Sequence, residues 1–338
     1  MKQRGWLAVA ILVLSLGAMG APPPRAKAPL RLLATVQLPG VHGRIDHFDI
    51  DLSGRRLFMS ALGNDTVEVF DLGGGNRRVH TIRGLHEPQG VTYAPRSHRI
   101  FVANGGDGTV RIFDGSTYQL RQVVHLASDA DDTRYDAATG RVFVGFGDQG
   151  NAGLAVLDGE TGKLLETIPL PAHPESFQLE AAGRRIFINI PSAGNIVAVV
   201  NRDQRRVVAT WHLAGAQDNF PMALDEADHR LFVVCRAPAE ALILDTDSGK
   251  TVARAPSVSH ADDAWYDAAR KRIYVSGGDG FITVIAQRAA NQYRVIKQFK
   301  TEPGGRTSFW APQLDRLYLG VWGRGGRPEE LRVYAAEP

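Results

Sequence analysis

Val91-Thr92-Tyr93-Ala94 leads through Pro95-Arg96-Ser97-His98 into Arg99-Ile100-Phe101-Val102-Ala103, and Gly105-Gly106-Asp107-Gly108 into Thr109-Val110-Arg111-Ile112-Phe113-Asp114. The apolar runs are short, β-branched and aromatic, and they alternate with period two, so they read as strands. Pro95 to His98 turns the chain. The glycines of Gly105 to Gly108 supply the positive φ that a tight hairpin needs, so this stretch reads as a turn and not as a phosphate or calcium loop. After Asp114-Gly115-Ser116-Thr117, a fourth run extends from Leu120 to Leu126.

The centre of this unit recurs. Arg56-Leu57-Phe58, Arg99-Ile100-Phe101, Arg141-Val142-Phe143 and Arg185-Ile186-Phe187 are followed by Arg230-Leu231-Phe232, Arg272-Ile273-Tyr274 and Arg316-Leu317-Tyr318. The spacing is about 43 residues, within the range of propeller repeats, and four antiparallel strands make one blade. The sequence therefore predicts an all-β, seven-bladed β-propeller. The last repeat has only three strands, at Thr307–Ala311, Leu317–Val321 and Leu331–Ala335. Leu30 to Leu38 reads like the fourth strands Leu120 to Leu126 and Leu164 to Leu170, so it is expected to complete the last blade and close the ring. Residues 30–338 then form a single domain.

With Glu87-Pro88-Gln89-Gly90-Val91-Thr92-Tyr93-Ala94-Pro95, Arg99 to Asn104 and Gly108 to Asp114, the chain resembles the YVTN-repeat propellers, the YncE-like exported proteins. Asp158-Gly159-Glu160-Thr161-Gly162-Lys163 and Asp245-Thr246-Asp247-Ser248-Gly249-Lys250 extend the likeness. No Gly-His and Trp-Asp pair of the WD40 kind recurs. The resemblance implies a binding scaffold more than one enzyme class.

Lys2 and Arg4, the apolar run Trp6 to Gly17, and Ala18 and Gly20 before Ala21 form the pattern of a cleaved signal peptide over residues 1–20. The apolar run is too short to span a membrane. Residues 21–29, with Pro22-Pro23-Pro24, read as a disordered leader. The expected location is periplasmic or secreted, with no membrane span after cleavage. Removing the two positive charges of Lys2 and Arg4 from a formal +3 leaves +1, and no basic patch interleaves with aromatics, so nucleic-acid binding has little support. The single Cys235, in a second strand, reads as a buried inert thiol. A closed ring is most simply a monomer.

The loop entering each innermost strand forms the rim of one face of the channel. Twelve residues before the anchors stand Asp46, Gln89, Asp131, Glu175, Phe220, Asp262 and Arg306, and next to them His47, Gly90, Asp132, Ser176, Pro221, Asp263 and Thr307. Slightly earlier come His42, His86, Glu87, Asp129, His173, Asp218 and His260. Carboxylates crowded at a narrow axis must take up protons, pair with Arg306 or Arg44, or hold a cation. Oxygen donors suit calcium or magnesium, and mixed imidazole and carboxylate donors suit zinc or copper. The alternative is a solvated polar channel. In Asp131-Asp132 and Asp262-Asp263, at least one Asp of each pair is expected to accept backbone N–H groups, and Asp136 and Asp267 to stabilise turns.

The ligand-binding set is thus Asp46, His47, Gln89, Asp131, Asp132, His173, Glu175, His260, Asp262, Asp263 and Arg306, serving a small-molecule or protein partner at the channel mouth, with a divalent cation (calcium, magnesium or zinc) as the cofactor to consider. An alternative is a metal-assisted, lactonase-like hydrolase or lyase using Asp46, His47, Glu175, His260 and Asp262. That reading is analogy at fold level. A redox-associated propeller ranks last. No nucleophile elbow, P-loop, Rossmann fingerprint or haem-attachment motif occurs.

Overall fold

The computed structural model describes Met1, residues 28–148 and residues 150–338. The signal-peptide pattern and most of the leader lie outside the described residues. Seven sheets of four antiparallel strands follow one another along the chain. Each blade runs from the axis outward. In the third blade the strands are Thr133–Asp136, Arg141–Phe146, Ala152–Asp158 and Leu164–Leu170, paired in that order. The strands read from sequence around Arg99 are present as Pro88–Ala94, Arg99–Asn104, Thr109–Asp114 and Leu120–His125.

The repeated triplet has a packing reason. Its aromatic residue lies on the second strand, which is buried on both faces between adjacent blades. Phe58, Phe101, Phe143, Phe187, Phe232, Tyr274 and Tyr318 are all essentially inaccessible. Phe143 packs in one cluster with Ile186, Ile188 and Val200 of the next blade, so the core is a set of wedges between sheets. Outer strands alternate instead, with Arg206–His212 exposing every second residue.

Turns carry the remaining signature. Asp114 accepts the N–H groups of Ser116 at 3.0 Å and Thr117 at 2.8 Å, and Asp158 accepts those of Glu160 and Thr161. Asp136 accepts Ala138 N–H and Asp267 accepts Arg270 N–H, the turn roles expected of them. Gly108 has φ +63°, and a Cβ there would meet the Ser128 backbone at 2.8 Å.

The ring closes as the strand count requires. Leu30–Gln37 pairs antiparallel with Glu330–Ala336, from Leu30 opposite Ala336 to Gln37 opposite Glu330. Leu30 and Leu38 are fully buried, in the cores on either side of the last blade. Among the described residues no helix is long and apolar enough to cross a membrane.

Candidate functional site at the channel mouth

In blades one, three and four the rim loop that enters the innermost strand donates a backbone bond to the second strand. The N–H groups of Asp46, Asp131 and Glu175 donate to Ser60, Gly145 and Asn189 carbonyls at 2.8, 2.9 and 2.9 Å. These are equivalent points in blades one, three and four, so the repeat itself aims three carboxylates at one funnel.

Asp131, His173 and Glu175 come together there, with one potential ligand atom from each lying within 4.8 Å of the others. His173 Nδ1 lies 2.7 Å from the Gly147 carbonyl, to which it donates. That bond orients the ring and leaves Nε2 toward Asp131, whose Oδ2 is 3.4 Å away. A backbone carbonyl that holds Nδ1 fixes the tautomer and ring orientation and leaves Nε2 free to ligate, as in metal-binding imidazoles. Burial pushes Glu175 up to about 8, helped by the Asp131 charge. Burial also raises Asp131 against the pull of His173 and His47. Burial opposes the charge of His173, but its bond to Asp131 and the charges of Asp131, Asp129 and Glu175 outweigh it and lift the imidazole to about 9.

The opposite wall of the mouth is built from ion pairs. Asp262 receives Arg236 Nη2 on Oδ1 at 2.6 Å and has Arg306 Nε 2.6 Å from Oδ2. Arg44 Nη2 lies 4.0 Å from the same carboxylate and 2.9 Å from Asp46. Asp46 is fully buried, and neither of its carboxylate oxygens makes an aligned hydrogen bond among the described residues. Deeper in, His47 sits between Asp46 at 3.8 Å and Asp263 at 3.5 Å. Burial works against its charge, yet the two carboxylates hold its pKa well above the ordinary imidazole value. Asp263 also accepts the Ser308 N–H of the next blade at 2.7 Å, and Asp132 accepts its neighbour Thr133 N–H and pairs with Arg134.

The other sequence-derived positions divide. Gln89 donates to Asp129 at 2.8 Å and borders the cluster. His42, His86 and His260 are exposed, and none makes a side-chain hydrogen bond or ion pair among the described residues. His260 shares its repeat position with His173 but adopts φ +50°. Cys235 is buried, and burial pushes its thiol up to about 12, as an inert cysteine requires. Comparison with protein-family models and with curated proteins gives no match.

Two residues absent from the sequence-derived set matter. Arg236 reaches Asp262 across the blade interface and stacks on Phe220, with 3.5 Å from guanidinium to ring centre. At this position, four after the anchors, the other repeats carry Leu62, Gly105, Gly147, Pro191, Gly278 and Trp322, so a lone arginine was the available signal. The other, Arg134, lies on the innermost strand of the third blade, Thr133–Asp136.

Proposed function

We propose that the protein is an exported, YVTN-type propeller that works as a binding module, holding a divalent cation at its channel mouth through Asp131, His173 and Glu175. The convergence of those three groups carries the reading. A nitrogen donor beside carboxylates favours zinc or a similar transition ion over calcium or magnesium. Bonds of about 2.0–2.2 Å would draw the three ligand groups together by roughly 1 Å. The cation would leave positions open for a small polar ligand, with Arg44 and Arg306 on the facing wall to complement an anionic group. Export rests on the N-terminal pattern, and the family assignment on the repeat motifs.

The test is a zinc titration of the metal-free protein, followed by thermal unfolding. Free zinc at 100 times its dissociation constant stabilises by about 2.7 kcal/mol, a rise of about 5 °C in Tm for a domain of this size. Glu175→Gln and His173→Asn should each remove at least half of that rise. A flat Tm across calcium, magnesium and zinc would sink the proposal.

The same residues set a pH dependence of the metal-free stability, and one of opposite sign for the zinc-induced rise. Glu175 has its folded pKa raised to about 8 and His173 to about 9. Both favour folding in their protonated forms. The Glu175 contribution is complete below the unfolded carboxyl value and lost as pH rises through 8. That of His173 is complete below about 6.5 and lost as pH rises through 9. Metal-free protein should therefore lose several degrees of Tm between about pH 6 and 9. Metal needs both groups deprotonated, so the zinc-induced rise should grow over the same interval. A zinc effect that shrinks with rising pH would contradict these ligands.

A further inference from the structure

The channel has a second end, where the innermost strands turn back toward the second strands. A cavity of about 450 Å³ opens there, within the size range of small-molecule sites. Its walls include Trp265 and Phe309, whose rings meet edge to face at 74° with centroids 5.2 Å apart. The indole is fixed in place, because Trp265 Nε1 donates to the Ser308 carbonyl at 3.0 Å. Such a corner accepts a flat aromatic ring.

Two charged groups line the same cavity with unused hydrogen-bonding capacity. Arg134 spends Nη1 on Asp132 and on the Thr133 carbonyl, while Nε and Nη2 have no protein acceptor among the described residues. Asp49 accepts the Tyr93 N–H at 2.6 Å through Oδ2 and has the N–H of its neighbour Ile50 as a second backbone partner, which leaves lone pairs of the carboxylate unused. Asp49 and Arg134 are close enough to feel each other's charge but are not in ion-pair contact. The repeat marks both positions. Nine residues before the anchors the register reads Asp49, Thr92, Arg134, Gln178, Ala223, Trp265 and Phe309, so an acid, a base and two aromatics converge on one level of the channel.

We propose that this cavity is a second binding site, taking a free aromatic α-amino acid. Its carboxylate would meet the open edge of the Arg134 guanidinium, its ammonium the Asp49 carboxylate, and its ring the Trp265–Phe309 corner. A simple aromatic acid would bring its charge against Asp49, and a simple aromatic amine would leave Arg134 facing a cation. A zwitterion satisfies both. The site lies at the other end of the channel from Asp131, His173 and Glu175, so it does not depend on the cation proposed there.

The experiment is calorimetric titration of the mature protein with L-tryptophan and L-phenylalanine, and with tryptamine, indole-3-propionate and L-leucine as comparisons. The aromatic amino acids should bind at least tenfold tighter than all three comparisons. Arg134→Gln should weaken the amino acid at least tenfold and strengthen tryptamine, which no longer faces a like charge. Asp49→Asn should weaken the amino acid and strengthen indole-3-propionate, which no longer meets a like charge. Trp265→Leu, which keeps both charged groups, should abolish the preference over leucine, and His173→Asn at the far rim should change nothing. If an arginine or aspartate variant does not fold, the ligand series and the tryptophan variant decide. No binding of either aromatic amino acid at millimolar concentration overturns the proposal. So does tighter binding of tryptamine, which would make this a site for an organic cation, or of indole-3-propionate.

Discussion

A chain beginning at Val41 is expected not to fold to a cooperative propeller. It lacks Leu30–Gln37, the strand that pairs with Glu330–Ala336 along its whole length. It also lacks Leu30 and Leu38, both fully buried. Those two side chains alone are worth about 2–3 kcal/mol each. Loss of a seven-pair ladder then leaves Glu330–Ala336 as an unpaired edge, a template for aggregation. Against a typical total stability of about 5–15 kcal/mol, the cut removes most of what holds the ring. The measurement is calorimetry beside size-exclusion chromatography. The truncated chain should show no sharp transition or elute as aggregate, and a peptide covering residues 28–40 should restore the transition by strand addition. A milder form of the same claim is Leu30→Ala, expected to cost about 2–5 kcal/mol. A truncated chain with unchanged Tm would mean that the ring does not depend on this closure.

The second large effect is expected at Asp262. This carboxylate receives Arg236 and lies against Arg306, with Arg44 at 4.0 Å. Asp262→Ala leaves guanidinium groups facing one another in a half-buried funnel. Removing one partner of such a network costs about 3–5 kcal/mol, because the remaining charges lose their compensation. Adding Arg236→Met should recover part of the loss, since methionine can still cover Phe220, on which Arg236 stacks. Denaturant unfolding of the two single variants and the double variant gives the coupling directly. A single variant within about 0.5 kcal/mol of the parent would show that solvent already screens the network. Asp262→Ala is consequently a poor probe of cation binding, because it destabilises the mouth by a route that involves no cation. Glu175→Gln removes a ligand without unpairing an arginine, and is the better variant.

How much of this is legible in the sequence depends on the range of the interaction. The blades are, because Arg-aliphatic-aromatic triplets repeat what each second strand must bury. Closure by Leu30 to Leu38 is legible too, because the last repeat is one strand short. The offset of twelve residues from each anchor brings Asp46, Asp131 and Glu175 to equivalent rim positions, since strand register is periodic. Side-chain roles at the rim are not periodic. His173 and His260 share one repeat position, yet His173 finds the Gly147 carbonyl of the preceding blade while His260 turns outward. That difference lies in loop dihedrals, which the spacing of anchors does not encode. Asp262 has the offset of Asp131, but Arg236 and Arg306 reach it from neighbouring blades. Long side chains crossing blade interfaces decide that the carboxylate is an ion-pair hub. The ring of acids read from sequence is therefore two half-sites of different character: a guanidinium-bound wall around Asp262, and a carboxylate–imidazole cluster at Asp131, His173 and Glu175.

The most direct test of that cluster is anomalous diffraction at the zinc absorption edge from crystals of the protein loaded with one equivalent of zinc. A single strong peak is expected at the channel mouth, about 2.0–2.2 Å from His173 Nε2 and from a carboxylate oxygen of each of Asp131 and Glu175. No peak, or a peak bound elsewhere on the chain, would contradict it. The cluster would then be a proton-sharing polar lining, with Glu175 neutral and His173 charged at neutral pH.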